Sequence, residues 1–360
     1  MSKAIIHAGM GKTGSSSIQI WLANNIAMLS ERFGLNVLRA YINTSDESGN
    51  STCNLQPVET ETHGDSNELI QIYHHLNKKE KEELFNSFFV QLRYYLDRGN
   101  NVIVSAEAFY TLLVNSNLDF ITPLYRLAED HDLCVAYYIR PQHEAMEAAW
   151  RQWGFRTHLE PYKYLVSYEK SLHYYNTYQK LKELAPNVFF QIRPYRDDLM
   201  DSGNVVTDFI NNVLGLKGKV SFEDNLWINP SLPLEIVNLL RALPEKVLWT
   251  SPHDNNRLND FKKIIKAPYG QESEETNRSR QIIGSYCYKK FEDSNKELIG
   301  SLGWNIDNFI IHPNDFSNIK NEDLKEINYL WKTKAGKSEL ILINQLIKYI
   351  FEVDKDFQNS

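Results

Sequence analysis

Over the first 215 residues, short apolar runs bounded by glycine or asparagine alternate with longer stretches of helical period. Ala4–Ala8 (AIIHA) reads as a buried strand, and Ser17–Arg32 carries helical periodicity. Lys78–Arg98 begins with a charged turn, KKEKEE, and continues as an amphipathic helix. Gly99, Asn100 and Asn101 break it, and Val102–Ser105 resumes as a strand. Two further cycles follow. A helical stretch at Asp119–Asp130 precedes the strand Leu133–Arg140 and a helix over His143–Trp153. A tyrosine-rich helix over 162–184 then leads to the strand Asn187–Arg193 and a helix over 204–214. This alternation predicts the α/β class, with a mostly parallel central sheet flanked by helices on both faces.

Two regions depart from the rhythm. Residues 43–68 are rich in Ser, Thr, Asn and Glu and read as a polar loop insertion. From Leu216 onward, Pro230, Pro233, Pro244, Pro252 and Pro268 punctuate short helical runs, which predicts a mainly helical C-terminal region over 216–360. With no linker and no internal repeat, residues 1–360 read as a single domain. Ligands of such folds sit at the carboxyl ends of the strands. That directs attention to Gly9–Ser17, Ser105–Tyr110, Arg140–His143 and Arg193–Arg196.

Composition narrows the classes. The net charge is −7, so a global basic field for nucleic acid is excluded, and any anionic ligand needs a local basic site. The 3 cysteines (Cys53, Cys134, Cys287) are far apart, which argues against a disulfide framework and fits a reducing compartment. No apolar run approaches the roughly 18 residues of a membrane span, and the first run is too short for a signal peptide. A cytoplasmic protein is the expectation. Aromatic residues, at 12%, suit packing or a groove for sugar-like ligands.

The chemistry concentrates in the stretch AIIHAGMGKTGSSSIQ, residues 4–19. A Walker loop needs a glycine five positions before Gly11, and that position holds Ile6. What stands there is a shorter turn that leads from a strand into a helix. Its backbone N–H groups and helix N-terminus favour an anion, Lys12 adds a point charge, and Thr13, Ser15, Ser16 and Ser17 add hydroxyls. One capping serine would suffice for a purely structural turn.

HAGMGKTGSSSIQ resembles the 5′-phosphosulfate loop of the sulfotransferases that use 3′-phosphoadenosine 5′-phosphosulfate (PAPS), the bacterial and carbohydrate-type members in particular. The resemblance implies a P-loop-type sheet, PAPS as co-substrate and no metal. It assigns Gly11, Lys12, Thr13, Gly14, Ser15, Ser16 and Ser17 to the 5′-phosphosulfate, with Ser17 where cytosolic members often carry tryptophan. Arg140, at the end of the strand CVAYYIR, matches the family's 3′-phosphate arginine, while Ala148 stands where the family has serine. In NVFFQIRPYRDDL, Tyr195 is a candidate for the adenine side or a packing residue. Arg278 and Arg280 are possible substitutes for a missing basic tail segment.

An acceptor hydroxyl needs a base within reach. Glu107, just past a strand end in NVIVSAEAFY, is the first candidate, with helix capping as its structural alternative. His158 and His143 follow. The resulting expectation is a sulfotransferase with Lys12 and Glu107 as catalytic residues, acting on a carbohydrate or glycolipid hydroxyl. A small metabolite as acceptor, a P-loop nucleotide kinase and a binder without turnover are the alternatives.

Overall fold

A computed structural model describes residues 1–43, 52–57, 78–157, 159–220, 234–241, 274–306, 309 and 321–331. The described residues have mixed α/β structure. Six strands, β1 (Lys3–Ala8), β2 (Leu35–Asn43), β3 (Thr52–Pro57), β4 (Asn101–Ala106), β5 (Asp132–Ile139) and β6 (Phe189–Pro194), form one sheet in the order β3-β2-β4-β1-β5-β6. Five strands run parallel, and β3 pairs antiparallel with β2 at the edge. β1 lies between β4 and β5, with Ile5 opposite Ile103 on one side and Cys134 on the other. The chain passes from β1 to β2 on one side and from β4 across β1 to β5 on the other, so the crevice at the carboxyl end of β1 is where open parallel sheets take ligands.

The chain divides into two compact units. The first comprises Met1–Pro141, His173–Ile228 and Asp293–Phe309, and it holds the sheet. On one face, Ile5, Ile103, Ala136 and Tyr138 pack with residues of α1 (Ser15–Asn24), α2 (Ile26–Phe33) and the helix that begins as α9 (Val205–Asp208). Pleating sends their neighbours Ile6, Val104 and Tyr137 to the other face. There, Tyr110 of α4 (Ala108–Val114) meets Tyr137 edge to face with ring centroids 5.7 Å apart. Phe88 of α3 (Lys78–Asp97), Phe109 of α4 and Phe120 of α5 (Leu118–Leu127) continue that layer, with Phe109 and Phe120 stacked at 5.1 Å.

The second unit comprises Gln142–Leu172, Asn229–Glu292 and Ile310–Ser360. It is built on α6 (Gln142–Gln152), α7 (Pro161–Tyr168), α10 (Leu234–Arg241), the first part of α11 (Glu274–Leu302) and α12 (Ile327–Leu330). Trp150 is fully buried, stacks on Trp331 at 5.2 Å and donates to Asn238 Oδ1 at 3.2 Å. Gly154 is required here, because a Cβ would lie 2.3 Å from Trp150 Cε3. Glu147 of α6 accepts both arms of the Arg280 guanidinium at 2.8 and 2.9 Å and also pairs with Arg151.

The predicted elements differ from the observed ones in four places. The stretch 43–68 contains the edge strand β3; residues 44–51 and 58–68 lie outside the described residues. β2 has no counterpart in the periodicity reading, because Leu35, Val37 and Leu38 do not alternate cleanly. The helical stretch Ser17–Arg32 starts two residues earlier and breaks at Asn25, whose side chain donates to the Trp21 carbonyl at 2.8 Å. The long tyrosine-rich helix is interrupted: a 3₁₀ turn at Glu169–Leu172 and the non-helical His173 separate α7 from α8 (Tyr174–Leu184).

Candidate functional site

The turn after β1 is set by sterics on both sides. A Cβ on Gly9 would lie 2.2 Å from Ser15 Oγ and 3.0 Å from Glu107 Cγ, so only glycine lets the strand end pass between them. Gly14 has φ +76 and would place a Cβ 2.6 Å from Val205 Cγ1. Gly11, in contrast, is exposed and faces open space. Lys12 has φ +65, a conformation uncommon outside glycine and characteristic of tight functional turns. Thr13 is buried and turned inward, its hydroxyl donating to the Met10 carbonyl at 2.7 Å, so it locks the turn.

The hydroxyls beyond Thr13 stand at the start of α1. Gly14 is the N-cap and offers no side chain, so the first-turn N–H groups face the turn without a side-chain cap. Ser15 is 2% exposed, and its Oγ has no hydrogen-bond partner among the described residues. This puts a buried hydroxyl at a helix N-terminus that has no side-chain cap, three residues after Lys12. Ser16 is half-buried beside it, and Ser17 is buried one position on.

Glu107 immediately precedes α4 and makes no capping hydrogen bond to it. Its side chain lies against Gly9. Burial pushes its carboxyl above the usual range, and the charge of Lys12 pulls only partly the other way. Beneath, His7 of β1 and Ser105 of β4 are direct neighbours in the sheet, with Nδ1 and Oγ 2.8 Å apart. His7 is fully buried against Phe209, which holds its ring neutral with a pKa lowered to about 3.

Arg140 and Tyr195 close the other side. Arg140 Nη1 donates to the Lys12 carbonyl at 3.0 Å, and its guanidinium lies over the Tyr195 ring at 5.3 Å. Tyr195 Cε2 would be 3.3 Å from a Cβ on Gly14. The fold therefore gathers Lys12, Gly14, Ser15, Glu107, Arg140 and Tyr195 at the carboxyl ends of the strands in the first unit. Other basic candidates have structural partners. Arg193 pairs through Nε and Nη2 with buried Asp208, which also accepts from the Tyr138 hydroxyl at 2.7 Å. Arg280 is committed to Glu147, and Arg278 pairs with Glu326 at 3.6 Å. Ala148 and His143 lie on α6 in the second unit, and His158 lies outside the described residues. Gly9 and Ser105 fall in the strand-end segments to which the sequence directs attention, whereas His7 and Tyr174 were not singled out from sequence. His7 stands within HAGMGKTG, whereas Tyr174 has no local signal.

Among the described residues no group of His, Cys, Asp and Glu is arranged to hold a metal ion, and no helix is long and apolar enough to cross a membrane. Residues 7–192 match the model of glycosyl hydrolase family 26, just over half of the chain. No curated protein and no solved structure matches the chain. The family match corrects the sulfotransferase expectation. It points to hydrolysis of a glycosidic bond by water, a reaction with no sulfuryl donor, so PAPS and the sulfated acceptor fall away. The P-loop nucleotide-binding label, metabolite sulfation and the kinase alternative go with them. The family's fold is TIM-barrel-like, whereas the described strands within the matched span form an open sheet with edges at β3 and β6.

Proposed function

The chain belongs to glycosyl hydrolase family 26, and on that footing we propose that it cleaves a glycosidic bond in a carbohydrate that carries an anionic group. Glu107 is the proton donor to the leaving oxygen, and the turn from Gly9 to Ser17 seats the anion. The observation that carries this reading is the state of Glu107: a carboxyl at a strand's carboxyl end, uncapped, with its pKa raised by burial. Glycoside cleavage needs a carboxylic acid that stays protonated near neutral pH until the bond breaks, and burial is the usual way to keep one so.

The anion seat supports an ionic substituent on that carbohydrate. Lys12 supplies charge, Ser15 and Ser16 supply hydroxyl donors, and the open N–H groups of α1 supply the dipole end. Gly11, Thr13, Gly14 and Ser17 shape the turn, with Arg140 and Tyr195 as its far wall. The lysine charge opposes the upward shift that burial gives Glu107, so proton donation strengthens when the anion neutralises Lys12. A reducing compartment, read from the wide spacing of the three cysteines, goes with this reading.

The test is reducing-end release from a panel of neutral, phosphorylated, sulfated and uronic glycosides. Release is expected from anionic members. Glu107→Gln should lower the rate by about 10²–10⁴-fold, and Lys12→Ala should raise KM for the anionic substrates. Absence of release from every member, or full activity in Glu107→Gln, refutes the assignment.

A further inference from the structure

Lys12 poses a problem of its own. A lysine at φ +65 holds a strained, left-handed conformation that non-glycine residues rarely adopt, and such residues persist only where their surroundings fix them. Thr13 fixes the turn from one side, with its N–H and hydroxyl both on the Met10 carbonyl. From the other side the Lys12 carbonyl is taken by Arg140 Nη1 at 3.0 Å. Arg140 is itself anchored: its own carbonyl accepts from the Tyr174 hydroxyl at 2.9 Å, and its guanidinium lies over Tyr195. The same Tyr174 hydroxyl lies 3.8 Å from Sδ of Met10, the fully buried residue on which the turn closes.

We propose that Arg140 is a positioning residue for Lys12. It acts on the anion seat through the Lys12 backbone carbonyl, and Tyr174 braces the pair from α8. An arginine at a strand end beside an anion-binding turn is otherwise read as a direct contact to the ligand. The two roles differ in what they do to the ligand-free protein. A direct contact leaves the empty turn as it is, whereas a latch keeps Lys12 left-handed before any anion arrives. The inference rests on the reading of the turn as an anion seat, but its decisive measurement does not need a ligand.

The experiment uses the full chain labelled with ¹³C and ¹⁵N. The Cα, Cβ and carbonyl shifts of Lys12, which report its backbone angles, are measured without ligand in wild type, Arg140→Met and Arg140→Lys. Inorganic phosphate is then titrated calorimetrically. In Arg140→Met the Lys12 shifts should leave the left-handed pattern, and phosphate affinity should fall by about tenfold, the loss of one charge-assisted hydrogen bond. Tyr174→Phe should move the same shifts in the same direction by less. If Arg140→Met does not fold, Arg140→Lys carries the test, because a single ammonium cannot both hold the carbonyl and cover Tyr195. Unchanged Lys12 shifts in a folded variant overturn the proposal, whatever the affinity does. Absence of phosphate binding by wild type at millimolar concentration overturns the anion seat alone, and the Lys12 shifts still decide the latch.

Discussion

His7 gives the sharpest quantitative consequence of the site's construction. Its ring is fully buried between Phe209 and Tyr138, with Nδ1 on Ser105 and Nε2 lacking a partner among the described residues. Burial lowers its pKa from 6.5 to about 3. A group whose folded pKa lies below its unfolded value contributes stability that is complete above the unfolded pKa and is lost as pH falls through the window between the two. Here that window runs from 6.5 down to about 3. The slope approaches about 1.4 kcal/mol per pH unit, so about 2 kcal/mol is lost by pH 5. The perturbation is His7→Asn, which keeps a polar group facing Ser105 and cannot titrate. The variant should be less stable than wild type at pH 7.5, because it forfeits the ring contacts with Phe209 and Tyr138. That deficit should shrink by about 2 kcal/mol at pH 5. Urea denaturation followed by the fluorescence of the 7 tryptophans, at half-unit pH steps, measures both curves. Other groups titrate equally in both proteins and cancel in the difference. A difference that stays constant from pH 7.5 to 5 would refute the claim that His7 is held neutral by burial.

Three further outcomes follow from the same geometry. Gly9→Ala should cost about 1–3 kcal/mol by urea denaturation, since its Cβ would lie 2.2 Å from Ser15 Oγ, whereas Gly11→Ala, facing open space, should fall within about 0.5 kcal/mol of wild type. Glu107→Gln should be stabilising at pH 8. With a folded pKa raised above 4.5, this carboxyl's contribution is complete below 4.5 and is lost as pH rises through the folded pKa, so thermal melts of the two proteins should converge in acid. Asp208→Ala should cost about 3–5 kcal/mol, because it strands Arg193 beside an unpaired Tyr138 hydroxyl; equal stability would mean that this network does not support the sheet edge.

Much of the first unit was legible because its signals are local. Four of the six strands announce themselves: β1, β4, β5 and β6 are apolar runs cut by glycine or asparagine, and the helices between them keep their period. β2 was not legible, and β3 was hidden in a polar stretch. Both strands gain their definition from ladder partners, β2 from β3 and β4 on its two sides and the edge strand β3 from β2 alone. The turn between β1 and α1 was legible as a turn, since glycines and consecutive serines in one segment after an apolar run mark a strand end and a helix start.

Sequence by itself determined the α/β alternation, the turn that begins the first helix, and the placing of Glu107, Arg140 and Tyr195 at strand ends. It could not determine which glycines matter, because Gly9 and Gly14 are required by Ser15, Glu107 and Val205, and two of those three lie far along the chain. Nor could it separate Arg140, which reaches Lys12, from Arg193 and Arg280, which are spent on Asp208 and Glu147. An arginine's role depends on the nearest acceptor in space, and only the tertiary structure brings residues 128 positions apart, such as Arg140 and Lys12, to 3.0 Å.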